Sequence, residues 1–545
     1  MRSRNNNACR PQGQPGPTNS TSGRTLFALA LLALLLGTMR HVRAADWPTY
    51  RHDNRRSGIT KEALSTARLG LLWSWSSTLP PQSAWAGPAK WDAYAGIRGL
   101  KSMRMYDPVF HVVAAGERVY FGSSVDDSAH CLDAKTGKPL WQFTTEGPVR
   151  IAPSYHSGRL YFGSDDGNAY CLNARTGDLR WRFNPSLQAN DGKLPSDLAH
   201  RIVHNGRLIP FWPCRSGLLI QSGTAYFSAS LFPWHPSYLC AVNAINGKAD
   251  SKNCYIQNIS GQTMEGAMVA SDTQLIVPQG RVAPQLFDRL TGKGQGALKG
   301  GGGSFVVLGN DNTIFHGPGN KTGWITSSQP GNRKTVATYK SGNVIVVRGN
   351  ISFLLSDSEL VASDYLSRKL LWKRPCKHPY ELIGVGTTLF AGGTDEVAAY
   401  DMTTGKLLWT FPVVGKVYGL SCANGRLYAS TDTGTIYAFG AGGTRPPLAT
   451  ASRDRPSVPV NVTPVTSIED PSLIGRWVFQ RPHVQKNRVQ DLAGKSTATI
   501  EGNIRLTTVQ SHQALVLDGK SNRITISDDH NKTTQPTRSM TAEAW

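Results

Sequence analysis

Apolar and polar positions alternate over short distances along this chain. Val119-Tyr-Phe-Gly-Ser123 and Leu160-Tyr-Phe-Gly-Ser164 are each followed by a few polar residues and then by a second short apolar stretch. Stretches of that length, rich in Val, Tyr, Phe and Leu and bounded by Gly, Asn and Asp, predict β-strands rather than helices. The polar punctuation predicts tight reversals. In Asp165-Asp166-Gly167 the glycine accepts the positive φ that a hairpin turn demands. No apolar run reaches the roughly 18 residues of a membrane-spanning helix, which excludes a polytopic membrane protein.

Repetition is the longest-range signal. His130-Cys-Leu-Asp-Ala-Lys-Thr-Gly-Lys-Pro-Leu-Trp141 recurs as Tyr170-Cys-Leu-Asn-Ala-Arg-Thr-Gly-Asp-Leu-Arg-Trp181, so Gly137 and Gly177, and Trp141 and Trp181, fall at matching positions. Further copies end at Gly247, Gly292, Trp372 and, with Gly405, Trp409. The last copy, Leu427 to Phe439, stops before its Gly and Trp. Each unit has two apolar strands meeting at a polar turn, then a Thr-Gly turn and a strand carrying the Trp. That makes a four-stranded antiparallel sheet of about 40 residues, the blade of a β-propeller. The expected fold class is therefore all-β, with seven or eight blades (eight favoured) over residues 45–440. Leu71-Leu-Trp-Ser-Trp75 would lend the last blade its missing strand and leave no open edge. The repeated glycines read as turn formers. Trp141, Trp181, Trp372 and Trp409 read as wedges between blades, not as sugar platforms.

Composition sharpens this picture. With 55 Gly, 32 Pro and 39% hydrophobic residues, the chain has many turns and enough apolar surface for a core. The formal charge of +22 invites a nucleic-acid reading, but six of those charges are arginines of residues 1–44, which hold no acid. That stretch also carries the apolar run from Leu26 to Gly37 and ends in Val42-Arg43-Ala44, the pattern of a signal peptide; an uncleaved N-terminal anchor is the alternative. The remaining charge is dispersed, without the basic stripe that DNA binding requires, so an exported protein of the periplasm or cell surface with no nucleic-acid partner is expected. The seven cysteines after the leader are too far apart in sequence for a zinc ribbon or a C-x-x-C motif. They read mostly as small buried hydrophobes, with one or two disulfides left open.

The unit Asp/Asn-Ala-x-Thr-Gly-x-x-x-Trp resembles the PQQ-type propeller repeat of quinoprotein dehydrogenases and of outer-membrane assembly propellers. Asp46-Trp-Pro-Thr-Tyr-Arg-His-Asp-Asn-Arg-Arg-Ser-Gly-Ile-Thr60 is similar to the opening segment of such proteins. The resemblance implies PQQ and calcium as cofactors for a dehydrogenase, held against an adjacent Cys-Cys pair and by a Glu, Asn and Asp site. The chain has no Cys-Cys pair, no C-x-x-C-H haem motif, no G-x-S-x-G, no H-E-x-x-H and no P-loop. The glycine run 294–303 reads as a connection between blades.

A polar constellation remains. Pro148-Val-Arg150 through Phe162 aligns without a gap on Pro213-Cys-Arg215 through Phe227, and Glu265 takes the same place in the next unit. That place begins the innermost strand, at the rim of the channel. Arg150, Arg215 and Glu265, with Trp212 and Arg281, form the candidate ligand or peptide rim; a structural network of ion pairs between blades is the competing reading. Asp165 and Asp166 read as turn residues.

Residues 441–468, with Pro446, Pro447, Pro456, Pro459 and Pro464, read as an extended linker. Residues 469–545 alternate apolar positions with Asp-Gly and Asn-rich turns, and resemble the first part of a laminin-G/concanavalin-A-like jelly roll that the chain does not complete. Together these readings describe a binding or scaffold protein of the cell envelope with no evident catalytic site, taking an envelope protein, peptide or carbohydrate partner. A PQQ- and calcium-dependent oxidoreductase is the alternative, and carbohydrate binding through the C-terminal region a second one.

Overall fold

The computed structural model of the protein describes residues 45–85, 105–189, 201–204, 207–303, 305–318, 323–444, 484–490, 497–502, 505–509, 512–516 and 523–526. The leader and most of the proline-rich linker lie outside the described residues.

In residues 113–375, six four-stranded antiparallel sheets follow one another, spanning 113–144, 154–183, 219–259, 269–297, 305–339 and 342–375. Within each sheet the strands pair in chain order, as hairpin-linked strands should. An eight-stranded sheet completes the set. In it the 17-residue strand Leu407–Ala423 pairs first with Thr394–Asp401 and then, from Val417 onward, with Arg426–Thr431. The strand expected at Leu71–Trp75 runs from Leu69 to Ser76 and lies antiparallel to Thr435–Ala441, with Trp73 opposite Ala438. The N-terminal chain thus fills the last edge.

The wedge positions show how the sheets lock together. A Cβ at Gly137 would fall 2.6 Å from the Trp73 ring, one at Gly177 2.9 Å from Trp141, one at Gly247 2.6 Å from Trp181 and one at Gly405 2.6 Å from Trp372. Each indole lies flat on the turn glycine of the following sheet and donates its Nε1–H to a carbonyl there: Ala134 (3.0 Å), Ala174 (3.2 Å), Ala244 (3.1 Å) and Met402 (3.2 Å). These glycines also have φ between +69° and +82°, so both conformation and crowding require the missing side chain. At Gly292 the partner ring is Tyr255, 2.5 Å from a Cβ placed there, where the sequence has no Trp. Trp409 packs edge-on against Phe439, 5.7 Å away. The apolar clusters accordingly bridge neighbouring sheets: one joins Phe162 to Tyr120, another Phe227 to Tyr161.

The described cysteines are seven free thiols, six of them buried, with no disulfide among them. The bridges left open by the sequence are absent there, and the hydrophobic reading describes the packing. A second compact unit begins at Ser452. Its described strands form a four-stranded sheet, Val484–Gln485, Arg488–Gln490, Thr497–Glu501 and Arg523–Ile526, and a separate hairpin, Arg505–Val509 with His512–Val516. Val489, Ala498 and Ile500 bury one face of the sheet.

Candidate functional site

The first strands of neighbouring sheets lie side by side, so they line the channel of a propeller. They finish at one mouth and begin at the other, and the two mouths differ in construction.

At the mouth where the innermost strands finish, residues 45–62 bond to each four-stranded unit. Trp47 exchanges both backbone bonds with Ala114, and Pro48 O accepts from Tyr155 N at 2.7 Å. Asn54 donates its side chain to Ile220 O (2.7 Å) and accepts from Ala270 N (3.0 Å). Arg55 donates to Gly309 O at 2.6 Å and Arg51 to Ile345 O at 3.0 Å. Gly58 O accepts from Gly384 N at 2.8 Å, and Ala45 O accepts from Asn424 N at 3.2 Å. Arg51, His52 and Arg56 hold positive φ of 50°, 78° and 57°. Such strain costs of order 1–3 kcal/mol per residue and persists only where the surroundings over-determine the backbone. Arg51 shows how: its guanidinium meets Glu381 at 2.6 Å, and both are buried.

At the opposite mouth the aligned residues come together. Arg150 (4% exposed), Arg215 (0%) and Glu265 (3%) are buried just before three successive innermost strands. What joins them is Asp165, which accepts from Arg150 Nε at 2.6 Å and from Arg215 Nε and Nη2 at 2.7 Å each. Arg150 Nη1 reaches Asp107 at 2.8 Å, and Arg215 Nη1 lies 3.9 Å from Glu265. The other Glu265 oxygen accepts from Trp85 Nε1 (2.8 Å) and Tyr106 OH (3.2 Å). Burial alone would raise the Asp165 carboxyl, but Arg150 and Arg215 outweigh it and hold it at about 2. For Asp107 burial wins over Arg150 and the carboxyl is raised. His204, 3.4 Å from Arg215 Nη1, is driven down to about 4 by burial and then by that guanidinium.

Trp212 belongs to the apolar core beside this cluster and donates its Nε1–H to Pro236 O. Arg281 occupies the turn between Gln274–Gln279 and Val282–Asp288 and is exposed, unlike the other four. Asp165, Asp107, Trp85 and Tyr106 carry no mark of this role in the sequence pattern. The signal for Asp165 lies instead in the two arginines, which at equivalent inner positions need a carboxylate between them, and the adjacent turn supplies one. Tyr106, Asp107 and Trp85 sit outside any repeat.

The remaining half of this mouth is a cavity of about 70 Å³ over Arg51 and Glu381, edged by Phe305, Tyr380 and Tyr418.

Sheets of this topology around such a channel define a PQQ-type β-propeller. The chain belongs to the family described as outer membrane protein assembly factor BamB, which it matches over residues 75–209 and 356–533. Among solved structures it resembles quinohemoprotein alcohol dehydrogenase from Comamonas testosteroni, at 14% identity and a TM-score of 0.53 over 76% of this chain and 83% of that one. A europium-containing methanol dehydrogenase matches at 12% identity and a TM-score of 0.50, over 72% and 98%. BamB from Moraxella catarrhalis matches at 14% identity and a TM-score of 0.44, over 63% and 98%. No curated protein sequence matches. At these identities the likeness to the two dehydrogenases establishes the fold alone.

The described residues do not fit a quinone and its metal. The channel carboxylates Asp165 and Asp107 are engaged by guanidinium groups. Among the described residues no three His, Cys, Asp or Glu side chains converge to hold a cation. The cavity is far below the roughly 300–1,000 Å³ of a pocket for a drug-sized ligand.

Proposed function

We propose that this protein is an exported, non-catalytic binding scaffold of the cell envelope, acting as a protein-assembly factor. The supporting observation is that the charged groups of the channel mouth satisfy one another: Arg150 and Arg215 share Asp165 and are sealed from solvent. A buried, mutually neutralised cluster ties sheets together and leaves no acid, base or nucleophile aimed at a substrate. We read the eight-stranded sheet as two blades, which brings the ring to eight. The family's description supports an outer-membrane protein as partner. Among the described residues no helix is long and apolar enough to cross a membrane.

Two measurements test this reading. Purified protein is mixed with PQQ and Ca²⁺ and followed by absorbance and by dye-linked alcohol oxidation; neither uptake nor turnover is expected, and stoichiometric uptake with turnover establishes the oxidoreductase instead. In parallel the protein is mixed with an outer-membrane β-barrel protein diluted from urea, and co-elution on size exclusion is expected.

A further inference from the structure

We infer that the open half of the channel mouth is a binding site for a compact organic cation, a quaternary ammonium group. Four aromatic side chains line this cavity: Tyr50, Phe305, Tyr380 and Tyr418. Tyr380 and Tyr418 meet with ring centroids 4.6 Å apart and planes at 44°, forming a corner. Tyr50 is pinned edge-on to His111, 5.0 Å away at 81°. Aromatic faces carry negative quadrupole density, and rings gathered around a small apolar space are how proteins hold weakly hydrated cations.

At the base the Arg51 guanidinium and the Glu381 carboxylate offset each other's charge. Arg51 spends Nη1 on Glu381 (2.6 Å), Nη2 on Ile345 O (3.0 Å) and Nε on Arg56 O (3.2 Å). Burial keeps His111 neutral, with its pKa lowered to about 4, and pushes the Tyr50 phenol up to about 12, so that ring stays uncharged. Tyr380 already takes a cation on one side: Lys416 Nζ lies 6.0 Å from its centroid. A cavity of about 70 Å³ suits a head group of a few heavy atoms and not a multi-ring ligand. This assignment is independent of the scaffold reading, because a scaffold and an enzyme alike could carry it.

The test is calorimetric titration of the full chain with choline, tetramethylammonium and the neutral isostere 3,3-dimethylbutan-1-ol. Both cations should saturate a single site, and the neutral isostere should bind at least about tenfold more weakly. Tyr380→Leu and Tyr418→Leu should each weaken choline binding about tenfold, whereas Tyr418→Phe, which keeps the quadrupole, should not. Sedimentation with vesicles of phosphatidylcholine or phosphatidylglycerol separates the sources. Selective binding to phosphatidylcholine assigns a lipid head group, and choline binding without co-sedimentation assigns a free ligand. Where a leucine variant fails to fold, saturation-transfer NMR on the unaltered protein decides, since the N-methyl protons should receive saturation from aromatic protons. The proposal is overturned if the cations do not saturate, if the neutral isostere binds equally well, if both folded leucine variants bind choline normally, or if no aromatic transfer is seen.

Discussion

Asp165→Asn removes the charge that holds two buried guanidiniums while keeping the shape of the side chain. Asp165 is the single anion within 3 Å of Arg215 in the described network; the next, Glu265, lies at 3.9 Å. Breaking a buried ion pair by removing one partner typically costs about 3–5 kcal/mol, because the surviving charge stays desolvated. The depressed Asp165 carboxyl points the same way. The folded-state carboxyl sits at about 2 against an ordinary 3.8, and at about 1.4 kcal/mol per pH unit that is on the order of 2–3 kcal/mol. Since the folded value is depressed, this stability is present above about pH 5 and drains away as the pH falls toward 2. With an unfolding entropy of about 2 cal/mol/K per residue over the propeller, a loss of about 2–5 kcal/mol lowers Tm by about 3–6 °C.

Differential scanning calorimetry of the parent and the variant from pH 7 to pH 3 reads both quantities. The gap in Tm should be largest at neutral pH and narrow steadily below pH 5. Equal melting at pH 7, or a gap that does not change with pH, refutes the argument that Asp165 binds the sheets through its charge.

Two further outcomes follow from the packing. Gly158→Ala meets only an unfavourable φ of +75°, in open space, and should cost about 1 kcal/mol in denaturant unfolding; Gly405→Ala adds a Cβ 2.6 Å from Trp372 and should cost about 2 kcal/mol more. Arg51→Met takes the countercharge from the buried Glu381 and should cost about 3–5 kcal/mol, whereas adding Glu381→Gln should recover part of that loss. A double-mutant cycle of thermal melts in which the two changes simply add would show that the pair is not coupled.

What was legible in the sequence was whatever repeats. Gly177 and Trp141 announce themselves because the same contact, an indole on a turn glycine, is built again at Gly247 and Gly405. The closing strand was readable because the last copy lacked its Trp, and Trp73 fills that place on Gly137. Arg150, Arg215 and Glu265 were found by alignment, as periodicity marks equivalent positions even where the residues differ. Their partners were not legible for the converse reason. Asp165 looked like an ordinary turn residue, since burial is invisible in a hairpin motif. Asp107, Trp85 and Tyr106 belong to the single-copy stretch between the closing strand and the first sheet, where no comparison within the chain can flag them. Arg281 was read with the rim, and the structure places it in an exposed turn.

The same contrast locates function within the fold. A repeated residue is spent on the contact that every unit needs, so a wedge Trp or a turn Gly has no freedom left to recognise a ligand. Chemical individuality must come from segments present once. Residues 45–62 cross one mouth and tie the units together, while residues 82–85 and 105–112 enter the other mouth and seal only the side of Arg150 and Arg215. On the other side, His111 and Met105 from the same stretch border the aromatic cavity instead of filling it. A symmetric ring has thereby become a one-sided one, and any selective binding along its axis should respond to changes in residues 105–111 far more than to changes at the repeated glycines and tryptophans.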